Sequence, residues 1–212
     1  MSIRDSQIPS PLLDLFKYLD RELMRLYVLW ADYQDLYLRD EQRVEVLNRT
    51  AQSFFGQCQY LLRNDIFLSL ARMTDPLESA GKENLTLYRI EHLLPAEFPT
   101  DIREDIKGKI KAIVEDTRPI RDWRNRRLAH NDLALTLDYS ANPLPGVTRE
   151  TVDHILFMVG ECLNPIRRHF DKSTTWYSVT QRQGGADRLV HHLQNALKWQ
   201  EDDIKRKLGG TT

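Results

Sequence analysis

One stretch of the 212-residue chain gathers side chains able to handle a phosphate: Arg121-Asp122-Trp123-Arg124-Asn125-Arg126-Arg127-Leu128-Ala129-His130-Asn131-Asp132. Four arginines and a histidine fall within ten residues, in a chain whose charges otherwise alternate in sign. Histidine accepts and returns a proton near neutral pH. Arginine stays charged, and its planar fork matches phosphate oxygens. With Asn125 as a polar neighbour these types form a metal-free kit for cutting a phosphodiester: His130 as base, arginine as charge clamp, an amide to hold geometry. A simpler account competes. Basic residues are common at helix ends, where they face the negative end of the dipole, and His130 would then be a C-terminal cap. Taken alone, the residues favour that account.

Composition bounds the alternatives. A net charge of −1 speaks against general coating of nucleic acid, which draws on a strong basic surplus, so any such contact must be local. Apolar content of 41% and charged content of 29% are those of a soluble globular protein. The N-terminus has no apolar stretch behind a basic flank, and no apolar run reaches the roughly 20 residues that span a bilayer. A soluble, cytoplasmic protein with no membrane contact is expected. Cys58 and Cys162 have neither metal nor redox spacing and sit in apolar helical surroundings, which predicts buried free thiols. His191 and His192 point about 100° apart on one helix and cannot share a metal, and His154 and His169 have no carboxylate or histidine at i+4. Gly184-Gly185 with Asp187 lacks the strand and the Lys-Ser/Thr of a phosphate loop, and reads as a helix start. No metal and no cofactor is expected.

The elements that must position the arginine cluster read as helices. Ser10-Pro11 opens the first, with serine as cap and proline at the first position. Leu12, Phe16, Leu19, Leu23, Leu26 and Trp30 recur at threes and fours along one face. Tyr27, Tyr33 and Tyr37 widen it into an aromatic stripe, either core or a surface where a second copy docks. A second helix spans about Glu41 to Met73, with Val44, Leu47, Ala51, Phe54, Phe55, Cys58, Leu61 and Leu62 inward, continued by Ile66, Phe67 and Leu70. It stops at Thr74-Asp75-Pro76, since proline disfavours helix at the residue before it. Arg72 and Asp75 at that end are expected to pair as a clasp, the alternative being that Arg72 joins a basic site.

Residues 76–84 read as a polar loop and 85–94 as a short helix. Thr100 caps a third long helix with acid in its first turns, Pro119 kinks it, and the segment beyond carries the cluster to about His130. Residues 131–148 read as a linker in which Leu133, Leu135 and Leu137 alternate like a short extended piece. Thr148 caps a helix from Arg149 to about Phe170 that bends at Pro165. Thr174 to Val179 reads as a small strand, and Ala186 to Leu208 as a last helix. The expected fold is all-α, one domain over residues 1–212 built as a bundle of long antiparallel helices with short loop and strand excursions. Residues 1–10 and 209–212 are expected to be flexible.

In this setting the cluster resembles the hallmark of the HEPN superfamily, an arginine followed by a polar residue and, a few residues on, a histidine. Arg124-Asn125-Arg126-Arg127-Leu128-Ala129-His130 matches, with five residues between arginine and histidine. Leu68-Ser69-Leu70-Ala71-Arg72-Met73-Thr74-Asp75-Pro76 before it, and Ala129-His130-Asn131-Asp132 closing it, are similar to the AbiU-type branch of abortive-infection proteins. The resemblance implies a metal-independent endoribonuclease, usually a homodimer whose two motifs face each other across a cleft, active in phage defence or a toxin-like stress response. It implies that His130 deprotonates a ribose 2′-hydroxyl or protonates the leaving 5′-oxygen, that Arg124 holds the scissile phosphate, and that Asn125 positions substrate or histidine. Arg121, Arg126 and Arg127 would support RNA binding, and an antitoxin or defence protein joins RNA among the implied partners.

Helical geometry complicates the pairing. On an ideal α-helix, positions six apart are separated by about 240°, so Arg124 and His130 would not share a face. Arg126 and Arg127, four and three residues before His130, would. A bend, a helix end near Leu128 or pairing between protomers reconciles the two; otherwise Arg126 or Arg127 is the phosphate ligand. The rival from another class is a non-catalytic HEPN-like module that binds a protein partner or nucleotide through the basic helix end. A third reading is a partner of a minimal nucleotidyl-transferase. RNA cleavage in EDTA, lost in His130→Ala, separates enzyme from module.

Overall fold

The computed structural model describes residues 6–128, 144–179 and 184–209. Among them the protein is all-α, with one small hairpin as its sheet. The helices are α1 (Leu12–Tyr37), α2 (Glu41–Met73), α3 (Arg89–Leu93), α4 (Thr100–Asp116) and α5 (Arg118–Trp123). A π-helical turn, Arg124–Leu128, follows α5 directly, and α6 (Arg149–Asp171) and α7 (Ala186–Gly209) complete the set. The hairpin strands are β1 (Glu78–Ser79) and β2 (Lys82–Glu83). Among the described residues no helix is long and apolar enough to cross a membrane. The chain divides into two compact units, residues 1–27 with 65–180 and residues 28–64 with 181–212.

The first unit holds the larger core. Leu19, Leu23 and Leu26 of α1, Ile66 and Leu70 of α2, Ile106, Ile110 and Ile113 of α4, and Ile155, Val159 and Leu163 of α6 are all shut away from solvent. Within each helix they recur at threes and fours, so each presents one continuous apolar stripe, and α4 lies against α6. Burying a side chain of this kind contributes about 1.5–3 kcal/mol. A carboxylate is buried as well. Asp20 is 2% exposed and accepts from Arg167 (2.5 Å) and from the Tyr177 hydroxyl (2.6 Å). Pairing and hydrogen bonding together make such burial tolerable.

Several boundaries follow the local sequence. α2 ends at Met73, before Thr74-Asp75-Pro76, and Thr148 caps α6, its hydroxyl accepting from the Thr151 N–H at 3.2 Å. α6 continues through Pro165 to Asp171. Others differ. Thr100 is the first residue of α4 rather than its cap, and Pro99 precedes it without a side-chain cap bond. At Pro119 the chain breaks rather than kinks: α4 closes at Thr117, and α5 begins with the proline in its first turn, where a missing N–H costs nothing. The loop expected over 76–84 contains the hairpin, because Ala80 and Gly81 both take positive φ (51° and 71°), the conformation of a tight two-residue turn.

Residues 174–179 form no strand. The Asn164 side chain takes the place of a strand neighbour, its Oδ1 accepting from the Thr175 N–H (2.9 Å) and its Nδ2 donating to the Thr175 carbonyl (3.1 Å). One buried amide thus satisfies both backbone groups.

The second unit packs Leu36, Leu47, Phe55, Ala186 and Val190 together, with Tyr37, Ala51, Leu62 and Leu193 around them. α2 is interrupted at Ala51 (φ −160°, ψ 69°), yet its inward stripe continues beyond it through Leu62, Ile66, Phe67 and Leu70. Phe55 is buried, whereas Phe54 and Leu61 are exposed and Cys58 is half-buried. Along the aromatic stripe of α1, Trp30 and Tyr33 are buried, with near-parallel rings 5.5 Å apart, while Tyr27 and Tyr37 are half-buried. α7 is anchored at its start, where Asp32 accepts from the Ala186 N–H (2.9 Å) and Asp187 accepts from Arg43 (2.6 Å) and Arg39 (3.1 Å). Leu189 and Trp199 of α7 are exposed.

Candidate functional site

In the first unit the C-terminal ends of α2 and α4 meet, and the arginine cluster is built on that meeting point. The Thr117 hydroxyl donates to Thr74 Oγ1 at 3.1 Å, and Thr74 in turn donates to the carbonyls of Leu70 and Ala71, both at 3.1 Å. Both threonines are buried. Carbonyls in the last turn of a helix have no helical partner and need outside donors. Arg121 supplies them to both helices, Nη1 to the Thr74 carbonyl (3.2 Å) and Nη2 to that of Val114 (2.9 Å). Expected as an RNA contact, Arg121 is in this structure a bracket between two helix ends.

α5 is short because Pro119 starts it and the π-helical turn ends it. Ile120 fixes its inner side, fully buried, and Trp123 packs edge-on against Phe67 (5.9 Å between centroids) while its indole N–H donates to the Pro145 carbonyl (2.9 Å). With α5 held by these contacts, Arg124 and Asn125 open the π turn side by side. Arg124 Nε donates to Asn125 Oδ1 at 3.0 Å, and Nη1 donates to Asp75 Oδ1 in an ion pair. Both partners of that pair are mostly buried, with side chains 22% and 19% exposed. Asp75 therefore clasps Arg124, not the expected Arg72, which lies exposed in the last turn of α2.

Asn125 and Arg127 are exposed, and Arg126 is half-buried. His130 lies outside the described residues, as do Ala129, Asn131 and Asp132 and the alternating leucines at 133, 135 and 137. The separation of about 240° between Arg124 and His130 rests on α-helical winding. Residues 124–128 are wound instead with the wider i to i+5 pattern, which occurs mostly as single turns and often at functional sites.

Beside the bracket lies a cleft of about 490 Å³ lined by Thr74, Pro76, Leu77, Glu78, Tyr88 and Arg121. Its far wall is kept in place by Asn84, whose Nδ2 donates to the Pro76 carbonyl and to Ser79 Oγ (both 2.9 Å), and by Arg89, which donates to the Leu77 carbonyl (3.2 Å). Thr74, Asp75 and Tyr88 were not singled out as site residues by spacing. Thr74-Asp75-Pro76 was legible as a helix stop, but the partner of Asp75 is 49 residues away. Among the described residues no group of three His, Cys, Asp or Glu side chains is arranged to hold a metal ion.

Chemically, the arrangement offers a guanidinium held by a carboxylate and an amide at the mouth of a helix junction, followed by two further arginines and next to a partly apolar cleft. No curated protein and no solved structure matches the chain. The family described as HEPN AbiU2 matches residues 10–189, which include α1, the Leu68–Pro76 phrase, the arginine cluster and α6. By that match over most of its length, the chain belongs to the HEPN AbiU2 family.

Proposed function

We propose that the protein is a metal-independent endoribonuclease of abortive-infection type, working as a homodimer. One observation carries the reading: Arg124 and Asn125, the first two residues of the family motif, stand side by side in the π turn with the guanidinium fixed by Asp75. A positioned cation of this kind stabilises charge that develops on a phosphate in the transition state. In the reaction the ribose 2′-oxygen attacks the adjacent phosphorus and loses its proton to a base. The P–O5′ bond breaks, and the departing oxygen takes up a proton. His130 is the residue of the motif suited to move both protons. The products are a 2′,3′-cyclic phosphate and a 5′-hydroxyl, so DNA, lacking the nucleophile, is not cut.

The test is incubation of the full chain with RNA in EDTA. Cyclic-phosphate ends are expected, with at least about a 100-fold loss in His130→Ala and in Arg124→Ala. If the site is shared between protomers, mixing the two inactive variants restores part of the cleavage. Absence of cleavage by the wild-type chain overturns the reading.

One observation favours the second reading, a non-catalytic module: Arg121 and Arg124 already have protein partners. Under it, wild type and His130→Ala bind an RNA or protein partner equally and neither cleaves.

A further inference from the structure

A second concave site lies in the same compact unit and shares no lining residue with the cleft beside Arg121. It is a cavity of about 200 Å³ between one face of α6, the segment 174–178 and Tyr27 of α1. Four aromatic side chains line it: Tyr27, Phe157, Trp176 and Tyr177. Trp176 and Phe157 are 76% and 57% exposed, unusual for residues of this size that serve packing alone. Glu161, one turn along α6 from Phe157, is the charged residue among the described lining residues.

The walls are prepared rather than incidental. Tyr27 and Tyr177 lie nearly parallel, their ring centroids 6.3 Å apart. Tyr177 is tethered through its hydroxyl to buried Asp20 (2.6 Å). Gly160 lets that ring approach α6, since a Cβ there would come within 3.0 Å of Tyr177 Cδ2. The Asn164 amide pins the backbone at Thr175, the residue before Trp176.

Aromatic faces attract cations, above all soft, weakly hydrated ones. The Glu161 carboxylate adds charge of the same preference and disfavours phosphates and other anions. The cavity is smaller than a pocket for a drug-sized ligand, roughly 300–1,000 Å³. We propose that this aromatic cup, closed on one side by Glu161, binds a small organic cation of the alkylated-ammonium or guanidinium kind. The head group sits against Trp176 and Phe157 with Glu161 as counter-ion.

The test uses the indole N–H resonances of the full chain, whose four tryptophans give four signals, that of Trp176 identified by its loss in Trp176→Ala. Tetramethylammonium chloride and N-acetylarginine amide are titrated separately against sodium chloride of equal ionic strength, with adenosine as a neutral aromatic comparator. The expected result is a saturable shift of the Trp176 signal in the millimolar range by at least one cation. Binding weakens about fivefold or more in Glu161→Gln and in Phe157→Ala, with melting temperatures unchanged. Preference for the ammonium marks a free metabolite-like ligand, and preference for the arginine amide marks a protein side chain. No shift beyond the sodium chloride control, or equal binding of adenosine unaffected by Glu161→Gln, overturns the proposal.

Discussion

Arg124 would be poorly placed without Asp75. Three other arginines lie within three residues of it, and a free guanidinium there would be pushed outward by its neighbours. The carboxylate offsets that repulsion and fixes the fork, because charge-assisted bonds are directional as well as strong. Asp75→Asn keeps the shape and removes the charge. On the nuclease reading, kcat/KM for RNA is expected to fall at least about tenfold, with a stability loss of about 1–3 kcal/mol in urea unfolding. Asp75→Glu should restore part of the activity. An unchanged kcat/KM in Asp75→Asn would show that the pair holds the fold and nothing more.

A second residue-scale expectation concerns pH. The Arg25 guanidinium bonded to Glu22 (2.7 Å), with Ser69 assisting, holds that carboxyl below its ordinary value of 4.5. A carboxylate with a depressed folded-state value stabilises the protein above its unfolded value, and this contribution disappears as pH falls through the folded value. The stability difference between wild type and Glu22→Gln should therefore be full at pH 7 and shrink toward zero in the acid range below 4.5. Urea unfolding at a series of pH values measures it, and a difference that grows on acidification would contradict the assignment.

At the scale of elements, α6 shows packing overriding propensity. Replacing a helical glycine by alanine ordinarily gains about 1 kcal/mol. At Gly160 the new Cβ would sit 3.0 Å from Tyr177 Cδ2, and Tyr177 cannot withdraw without giving up its bond to Asp20. Overpacking of this kind costs about 1–3 kcal/mol. Gly160→Ala is thus expected to leave the protein less stable by up to about 2 kcal/mol in thermal or urea unfolding, where helix propensity alone predicts a gain. The same neighbourhood shows why 174–179 read wrongly as a strand. Thr174-Thr175-Trp176-Tyr177 has strand-forming residue types, but the group that pairs with its backbone is Asn164, and pattern does not disclose side-chain partners.

For the whole molecule, the two cysteines report on different units. Cys162 is in the first and buried, its thiol pushed up to about 12 by burial, whereas half-buried Cys58 lies in the second. Thiolate, not thiol, attacks a disulfide reagent. Ellman's reagent at pH 8 should titrate one thiol of the native chain, with the signal lost in Cys58→Ser, and the second only after denaturation. Two fast thiols in the native chain would mean that the core around α6 opens readily.

What residue order alone determined is the helical character of the chain, the end of α2 at Met73, the cap at Thr148 and the location of the arginine cluster. Each depends on periodicity, proline or capping chemistry acting over a few residues. The division into two units, the burial of Trp30 and Tyr33, the exposure of Phe54 and Leu61 on α2 and the pairing of Asp75 with Arg124 were decided only by tertiary structure. These arise where segments far apart in the chain compete for the same contacts, and no local rule ranks such competitors.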